Sequence, residues 1–566
     1  MHTRQRGLRV ARLLLVGLLL IGVLSVPAAG VVNDGSLPKL LSNHASQVLT
    51  IRYWAAHPGQ GPSRVADALA AVDRSQSQGA TSGGGNNNMG DLFNRDVFGL
   101  PQNEESVMAC RTNLSYVLGA TNDYRGLIDP QGNFTGWHFS DNGGASLTNE
   151  GLLPPVTLIR TPDREVPSGG DPVAFIADGD CATYAASLAY NPSNPFGDAN
   201  GIAVYKSSPA ILATCPTDYP NSSNPACWPV RRLIVESEPS HFLDKEWMYV
   251  GVQNGVRYVW VTYTDFALDQ NAPAGFTGAD IKAVRCDQNL VTCSTPIKIS
   301  TVDQDVQFSD VTVGPDGRTY ITWARIDGEL EGRDQTFTFK IRTETAPGSA
   351  VFGPERVIYA ETRAIPFGGF LHANDFRIAT YPKSDVALVD GKPRIFITWD
   401  ACKVRLLGSI CEHPEIKYSF SDNDGTTWSA PVVISNGGDN YFPSISTDRA
   451  ATRTQSVSFA WYTNVYDVDF NNRQDVQLLT LDAKLLQTKS SKRLTGSGNE
   501  TEADPLLGGF FIGDYIEVFT HANRVWVHWN GNYRKVPLLG GFANEPNQPV
   551  IPVNQQDNYL SKTGPG

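Results

Sequence analysis

Short runs in which apolar and polar positions alternate recur seven times along the chain, each opening on a polar or conformationally restricted residue. They begin Glu105-Ser-Val-Met-Ala, Asp171-Pro-Val-Ala-Phe, Glu246-Trp-Met-Tyr-Val, Ser309-Asp-Val-Thr-Val, Arg377-Ile-Ala-Thr-Tyr, Pro443-Ser-Ile-Ser-Thr and Asp514-Tyr-Ile-Glu-Val, at intervals of 63 to 75 residues. After each comes a second run in which aromatic or β-branched residues alternate with small ones, such as Ser115-Tyr-Val-Leu-Gly, Thr183-Tyr-Ala-Ala-Ser, Tyr320-Ile-Thr-Trp and Phe396-Ile-Thr-Trp. Turn residues such as Pro315-Asp316-Gly317 and Asp390-Gly391 bound these runs, which marks them as strands with a period of two. In the fifth unit two more strands follow, Glu415-Ile-Lys-Tyr-Ser-Phe-Ser and Pro431-Val-Val-Ile-Ser, separated by a glycine-containing turn. Repeated β units of this length predict an all-β propeller with seven four-stranded blades, six being the alternative. The strand aromatics are expected to be wedges between sheets rather than stacking surfaces for a ligand.

The N-terminal stretch does not share the pattern. Arg4, Arg6, Arg9 and Arg12 precede an apolar run, Leu13 to Val26, and then Ala28-Ala29-Gly30. That is the layout of a secretory signal peptide over residues 1–29, and the run falls short of the ~20 residues of a membrane span. Residues 30–98 read as an N-terminal arm, with a short helix over Ser63 to Arg74 and a flexible Gly/Asn linker over Gly79 to Gly90. The repeat array is expected to fill residues 99–566, and no membrane span is expected in the mature chain.

Of the 566 residues, 52 are glycine and 36 proline, which favours turn-linked strands over helices. The eight cysteines are even in number and suit an oxidising compartment, placing the protein outside the cell or in the cell envelope. Cys215 with Cys227, Cys286 with Cys293, and Cys402 with Cys411 are close in sequence. Cys110 and Cys181 remain, at matching positions in the first two units. Metal binding is the weaker reading, with no Cys-x-x-Cys spacing present. A net charge of −12 and dispersed basic residues exclude a polyanion such as nucleic acid as partner. Asn-x-Ser/Thr sequons stand at Asn113, Asn133, Asn221 and Asn499. Oligomeric state is not legible.

The fifth-unit turn reads Ser421-Asp422-Asn423-Asp424-Gly425-Thr426-Thr427-Trp428, with a shorter copy at Ser140-Asp141-Asn142-Gly143-Gly144-Ala145-Ser146. It resembles the Asp-box, or bacterial neuraminidase repeat, of the sialidase superfamily, and the resemblance extends over residues 102 to about 530. The motif is a turn device: a short polar side chain gathers backbone N–H groups and glycine supplies positive φ. The resemblance implies a secreted propeller with its site at the channel mouth. In that superfamily, three arginines hold a substrate carboxylate beside a tyrosine nucleophile, a glutamate and an aspartate. Here an Arg-Ile-Pro motif does not open the first unit, and Arg363-Ala-Ile-Pro lies between the fourth and fifth.

In a propeller the first strands of the blades converge on a channel. The residues opening them here are Glu105, Asp171, Asp244 with Glu246, Asp310, Asp375 with Arg377, and Asp514. Together they are expected to bind a carbohydrate or another extracellular ligand without catalysis, and Ca²⁺ is the one ion such a ring could hold. No other cofactor is expected. The alternative is an exo-acting glycoside hydrolase of sialidase type. For that chemistry Asp244, Glu246 and Tyr515 are the candidates: two carboxyls at i,i+2 on a regular strand would stand about 7 Å apart, within the ~5–9.5 Å that glycoside hydrolysis uses. A cluster among Arg257, Arg325, Arg363 and Arg377 would favour the enzyme. Glu517 is expected to point to solvent.

Overall fold

Strand alternation is carried through almost the whole described chain. The computed structural model describes residues 47–57, 59–63, 65–66, 91–95, 100–217, 223–301, 305–329, 333–450, 456–538 and 551–564. The signal peptide, the Gly/Asn linker, most of the expected 63–74 helix and Asn221 lie outside them.

Seven sheets of four antiparallel strands account for most of the strand residues, an all-β arrangement consistent with a propeller. Their first strands are Gln102–Cys110, Val173–Ile176, His241–Gln253, Val306–Val313, Lys383–Val389, Asn440–Thr447 and Glu517–His521, here called sheets I to VII. Sheet VII adds Arg524–Leu538, Ile551–Thr563 and, from the other end of the chain, Asp91–Leu92. Asp91 pairs with Leu560, so a piece of the expected arm is the outermost strand of the last sheet.

First strands touch in sequence, I to II and onward to VII, and that of VII also touches that of I. Several of these neighbours share one device, in which a side chain of one strand accepts a hydrogen bond from a backbone N–H of the next. Ser106 Oγ accepts from Ala174 at 2.9 Å, Asp310 from Ser384 at 2.6 Å and Asp385 from Thr447 at 2.7 Å. Ser444 Oγ accepts from Val518 at 3.1 Å, and Glu517 accepts from Val107 at 2.6 Å. Short polar side chains at the strand starts therefore replace the ladder bonds that adjacent sheets cannot make.

The packing between sheets is aromatic, as the sequence indicates. Trp260, Trp323, Trp399, Trp526 and Trp529 are fully buried. Trp399 lies 5.2 Å from Phe339 and 5.6 Å from Tyr359, and its indole N–H reaches Glu361. All four cysteine pairs form: Cys110–Cys181, Cys215–Cys227, Cys286–Cys293 and Cys402–Cys411. The first ties sheet I to sheet II, and the set is consistent with an extracellular protein. Asn133 and Asn499 are buried, which leaves Asn113 as the exposed sequon among the described residues.

The two similar turns have the same hydrogen bonds. Ser421 Oγ accepts from Gly425 N at 3.0 Å and Asn423 Oδ1 from Thr427 N at 2.9 Å. Ser140 Oγ accepts from Gly144 N at 3.0 Å and Asn142 Oδ1 from Ser146 N at 3.0 Å. Asn423→Ala is therefore expected to cost about 1 kcal/mol by urea unfolding, the net value of such a bond. A change below a few tenths would mean that the turn holds without its asparagine.

One repeat is displaced. Arg377-Ile-Ala-Thr-Tyr is not the first strand of sheet V, which begins six residues later at Lys383. The segment crosses toward sheet VII instead, and Arg377 N donates to Phe510 O.

A ten-residue helix, α1 (Gln47–Ala56), precedes the sheets. Val48, Leu49, Thr50, Ile51 and Arg52 are all at most 2% exposed. The sequence pattern predicts no helix here, because β-branched Val48, Thr50 and Ile51 are poor helix formers that only tertiary contacts can hold in a helix.

Candidate functional site

Backbone irregularity at the strand starts sets the site. Glu104, Lys245, Phe308 and Phe442 take φ of 59°, 54°, 58° and 50°, and at each the ladder of sheet I, III, IV or VI shifts register. Asp171 takes φ of 53° just ahead of sheet II. Non-glycine residues rarely adopt this region, and bulges of this kind re-aim side chains. The bulge at Lys245 and Glu246 also breaks the regular alternation that places Asp244 and Glu246 at i,i+2 on one face. Even so, the charges of Asp171 and Asp244 both act on Glu246.

The result is one cluster. Lys245 Nζ lies 2.5 Å from Asp514, 3.2 Å from Asp171 and 3.8 Å from Glu104. Arg377 meets the same Asp514 oxygen at 2.5 Å. Asn122, at the end of the second strand of sheet I, donates to Glu104 at 2.8 Å and accepts from the Asp171 N–H at 2.8 Å. Glu104, Glu105, Asp171, Asp244, Lys245, Glu246, Arg377 and Asp514 are each at most 8% exposed. Among the described residues no side chain hydrogen-bonds the carboxyls of Asp244 and Glu246, whereas Asp171 is ion-paired with Lys245 and Glu105 lies against the Tyr462 hydroxyl.

These environments push the carboxyls apart. Burial raises Glu104, Glu105 and Glu246 well above the usual carboxylate range, and burial with the Asp171 charge brings Asp244 to about 8. Burial opposes the charge of Asp514 too, but Arg377 and Lys245 outweigh it and hold the group at about 2. Burial likewise disfavours the Lys245 ammonium, and Asp171 and Asp514 override it and raise its pKa. At neutral pH the cluster thus combines an ionised carboxylate with protonated acids, the division of roles on which acid–base chemistry relies.

Below the cluster, a channel is lined by residues from the first strands of all seven sheets, among them Trp247, Asp310, Lys383, Ser444 and Glu517. Its cavity volume is about 60 Å³, enough for a few waters and far below the roughly 300–1,000 Å³ of a small-ligand pocket. Lys383 Nζ sits 2.9 Å above the centre of the Trp247 ring, and burial lowers it to about 8. Glu517 does not point to open solvent: half-buried, it lines this channel, accepts from Ser106 Oγ and Val107 N, and is raised to about 7 by desolvation.

The remaining candidates divide. Asp310 lines the channel and caps Ser384 N rather than joining the cluster. Asp375 is exposed and lies beside Glu502. Tyr515 donates its hydroxyl to Pro172 O at 3.0 Å, and burial raises its pKa, so its proton is committed. Of the four arginines, only Arg377 enters the cluster. Arg257 pairs with Asp180 at 2.8 Å, Arg325 with Asp327 at 2.7 Å, and Arg363 donates to Lys403 O at 3.1 Å. Asn122, Tyr381 and Lys383 are site residues that the sequence pattern does not single out. Tyr381 is a buried phenol beside Lys245. Among the described residues, no group of three or more His, Cys, Asp or Glu is arranged to hold a metal ion, and no helix is long and apolar enough to cross a membrane.

No protein-family model matches the chain, and no curated protein sequence matches it. Solved structures do. A protein of unknown function from Dyadobacter fermentans is 10% identical over 84% of this chain and 97% of its own, with a TM-score of 0.42. Trypanosoma rangeli sialidase in complex with sialic acid is 10% identical over 72% of this chain and 56% of its own, with a TM-score of 0.38. The α-L-arabinofuranosidase Arb93A from Fusarium graminearum is 11% identical over 64% and 88%, with a TM-score of 0.37. Likeness at this level says nothing of what the present chain binds.

Proposed function

We propose that this is a secreted, seven-bladed β-propeller whose strand-start mouth binds a hydroxyl-rich extracellular ligand, a carbohydrate, with the turns at Ser421 and Ser140 acting as Asp-boxes. The observation that carries the reading is the pair of buried carboxyls, Asp244 and Glu246, that no described side chain hydrogen-bonds. Buried polar atoms are nearly always paired, and sugar hydroxyls are donors of suitable size and number. Lys245 and Arg377 would orient the ligand as fixed donors next to them. No metal is needed in this account.

A second reading, glycoside hydrolysis, is favoured by the opposed protonation of Asp514 and Asp244, held at about 2 and about 8. An ionised carboxylate and a protonated acid in one desolvated site are the two groups such a reaction requires. The committed hydroxyl of Tyr515 argues against a tyrosine nucleophile, which shifts the weight within this reading to the carboxyls.

Binding to a glycan array, followed by calorimetry and by hydrolysis of fluorogenic glycosides, tests both. Asp244→Asn and Glu246→Gln are near-isosteric with acids already held in their neutral form, so the fold should survive. Each is expected to weaken glycan binding by about 10- to 100-fold, the loss of one or two buried hydrogen bonds. Unchanged affinity in both variants would remove the cluster from the ligand site. Hydrolysis lost in Asp244→Asn with binding retained would select the enzyme.

A further inference from the structure

A helix that belongs to none of the sheets packs beside the strand starts. Helix α1 lies at the end of the sheets where the first strands begin. Arg52 donates to Gly132 O at 2.6 Å and to Ser168 O at 3.4 Å, and its guanidinium lies 4.9 Å and 4.5 Å from the ring centres of Phe134 and Tyr190. Tyr190 in turn feels the charges of Asp171 and Asp244. Val48 packs against Gly170, the neighbour of Asp171: a Cβ built there would lie 3.4 Å from its Cγ1, an ordinary contact distance. At the other end of the helix, the Trp54 ring is 6.5 Å from that of Phe510, whose carbonyl holds the Arg377 N–H. The helix thus reaches from the start of sheet II to the loop that leads into sheet VII.

This arrangement fits the site poorly. The carboxyls of Asp244 and Glu246 are buried and no described side chain hydrogen-bonds them, which is costly for the closed state. The helix is also weak by itself. Ten residues with three β-branched positions and no acidic residue in the first turn or basic residue in the last do not hold a helix in water. A hydroxyl-rich ligand would satisfy the oxygens that α1 leaves bare.

We propose that α1 is a built-in competitor for the mouth, which must leave before a ligand enters, so that the chain is held in a self-inhibited state by Arg52 and Trp54. This rests on the ligand site being the mouth cluster. Apparent affinity then equals intrinsic affinity scaled by the open fraction, and loosening the helix should tighten binding.

The test uses the full chain beside Arg52→Ala/Trp54→Ala. Carbodiimide labelling of the peptide carrying Asp244 and Glu246 reads exposure of the cluster without any ligand. Calorimetry with lactose, sialyllactose and a panel of pyranose and furanose oligosaccharides reads binding. The double variant is expected to label at least fivefold faster and to bind about tenfold more tightly. Faster labelling with no sugar bound by either protein would keep the plug and discard carbohydrate as the ligand. Labelling equal in the two proteins would overturn the inference, whatever the affinities, and make α1 a fixed part of the fold. Should the double variant lose its near-ultraviolet circular dichroism, Arg52→Lys, which keeps the charge and the aliphatic stem, takes its place: faster labelling than the native chain supports the plug, and equal labelling overturns it.

Discussion

Asp514→Asn is expected to destabilise the protein by roughly 3 kcal/mol, the lower end of the cost of breaking a buried ion pair. One oxygen of Asp514 meets both Lys245 and Arg377, and neither cation is more than 8% exposed. The amide leaves both charges in place and removes the anion between them. Lys245 keeps Asp171 at 3.2 Å and Glu104 at 3.8 Å, which is why the lower end applies. Because the folded pKa of Asp514 is depressed to about 2, its contribution is complete above the unfolded carboxylate value and is lost as pH falls through 2. Guanidinium unfolding at pH 7 measures the loss, and a change below 1 kcal/mol would mean that the cations do not depend on this carboxylate. Asp244→Asn, measured alongside, should stabilise the protein at pH 7, since the amide removes the proton uptake that folding otherwise requires of a group raised to about 8.

The second large effect is on pH dependence. Burial raises Asp244 to about 8 and Asp400 and Glu517 to about 7. A carboxyl with a raised folded pKa keeps its proton where the unfolded chain has lost it, so its stabilising share is whole below about pH 4 and is lost as pH rises through the folded value. His528 opposes this between its folded value of about 3 and its unfolded value near 6.5, since burial keeps it neutral in the fold. Three carboxyls outweigh one histidine, and above pH 6.5 the carboxyls act without it. The melting temperature is therefore expected to fall from pH 5 to pH 8, most steeply around pH 6 to 7, before Asp400 and Glu517 have lost their protons in the fold. Each proton contributes about 1.4 kcal/mol per pH unit while it is held only in the fold. Beyond pH 8 the decline should ease, because Lys383, lowered to about 8, then sheds a charge that its burial disfavours. A melting temperature that is flat or rises between pH 5 and pH 8 at constant ionic strength would show that these carboxyls are solvated.

The strands were legible because alternation and aromatic wedges repeat in every unit, and the cysteine pairs because sequence proximity left one remainder, Cys110 with Cys181. What failed was local. Arg377-Ile-Ala-Thr-Tyr has the composition of a strand, yet it crosses toward Phe510, and nothing in five residues distinguishes a strand from an extended crossing. Glu517 carries a charge in a run that could face either way, and its burial depends on Ser106 and Val107 from the far end of the sequence. Asn122 closes an otherwise ordinary strand, and its part in the site comes from Glu104 and Asp171 in two different sheets. Charge at strand starts marks Asp171, Asp244, Glu246, Arg377 and Asp514, which the structure gathers around Lys245, whereas Glu105 faces Tyr462 instead. Asp375, only two residues from Arg377, lies outside the cluster, since the crossing segment turns one side chain inward and the other to solvent. Helix α1 was invisible because its sequence favours strand, and only the surface beneath it makes it helical.

Sheet VII has a consequence for how the protein is made. Its outermost strand, Asp91–Leu92, is the first β-strand of the array to leave the ribosome, whereas its partner around Leu560 is among the last residues added. At about 5–20 residues per second, the early strand waits roughly 20–90 s for that partner. Sheets I to VI can each form from chain already synthesised, but the junction of sheet VII with sheet I cannot. Until translation ends, the growing chain is an open crescent with two unfinished edges, and the aromatic faces of sheets I and VI stand bare over that interval. Protection of those two faces until the chain is complete is then a requirement of the topology itself.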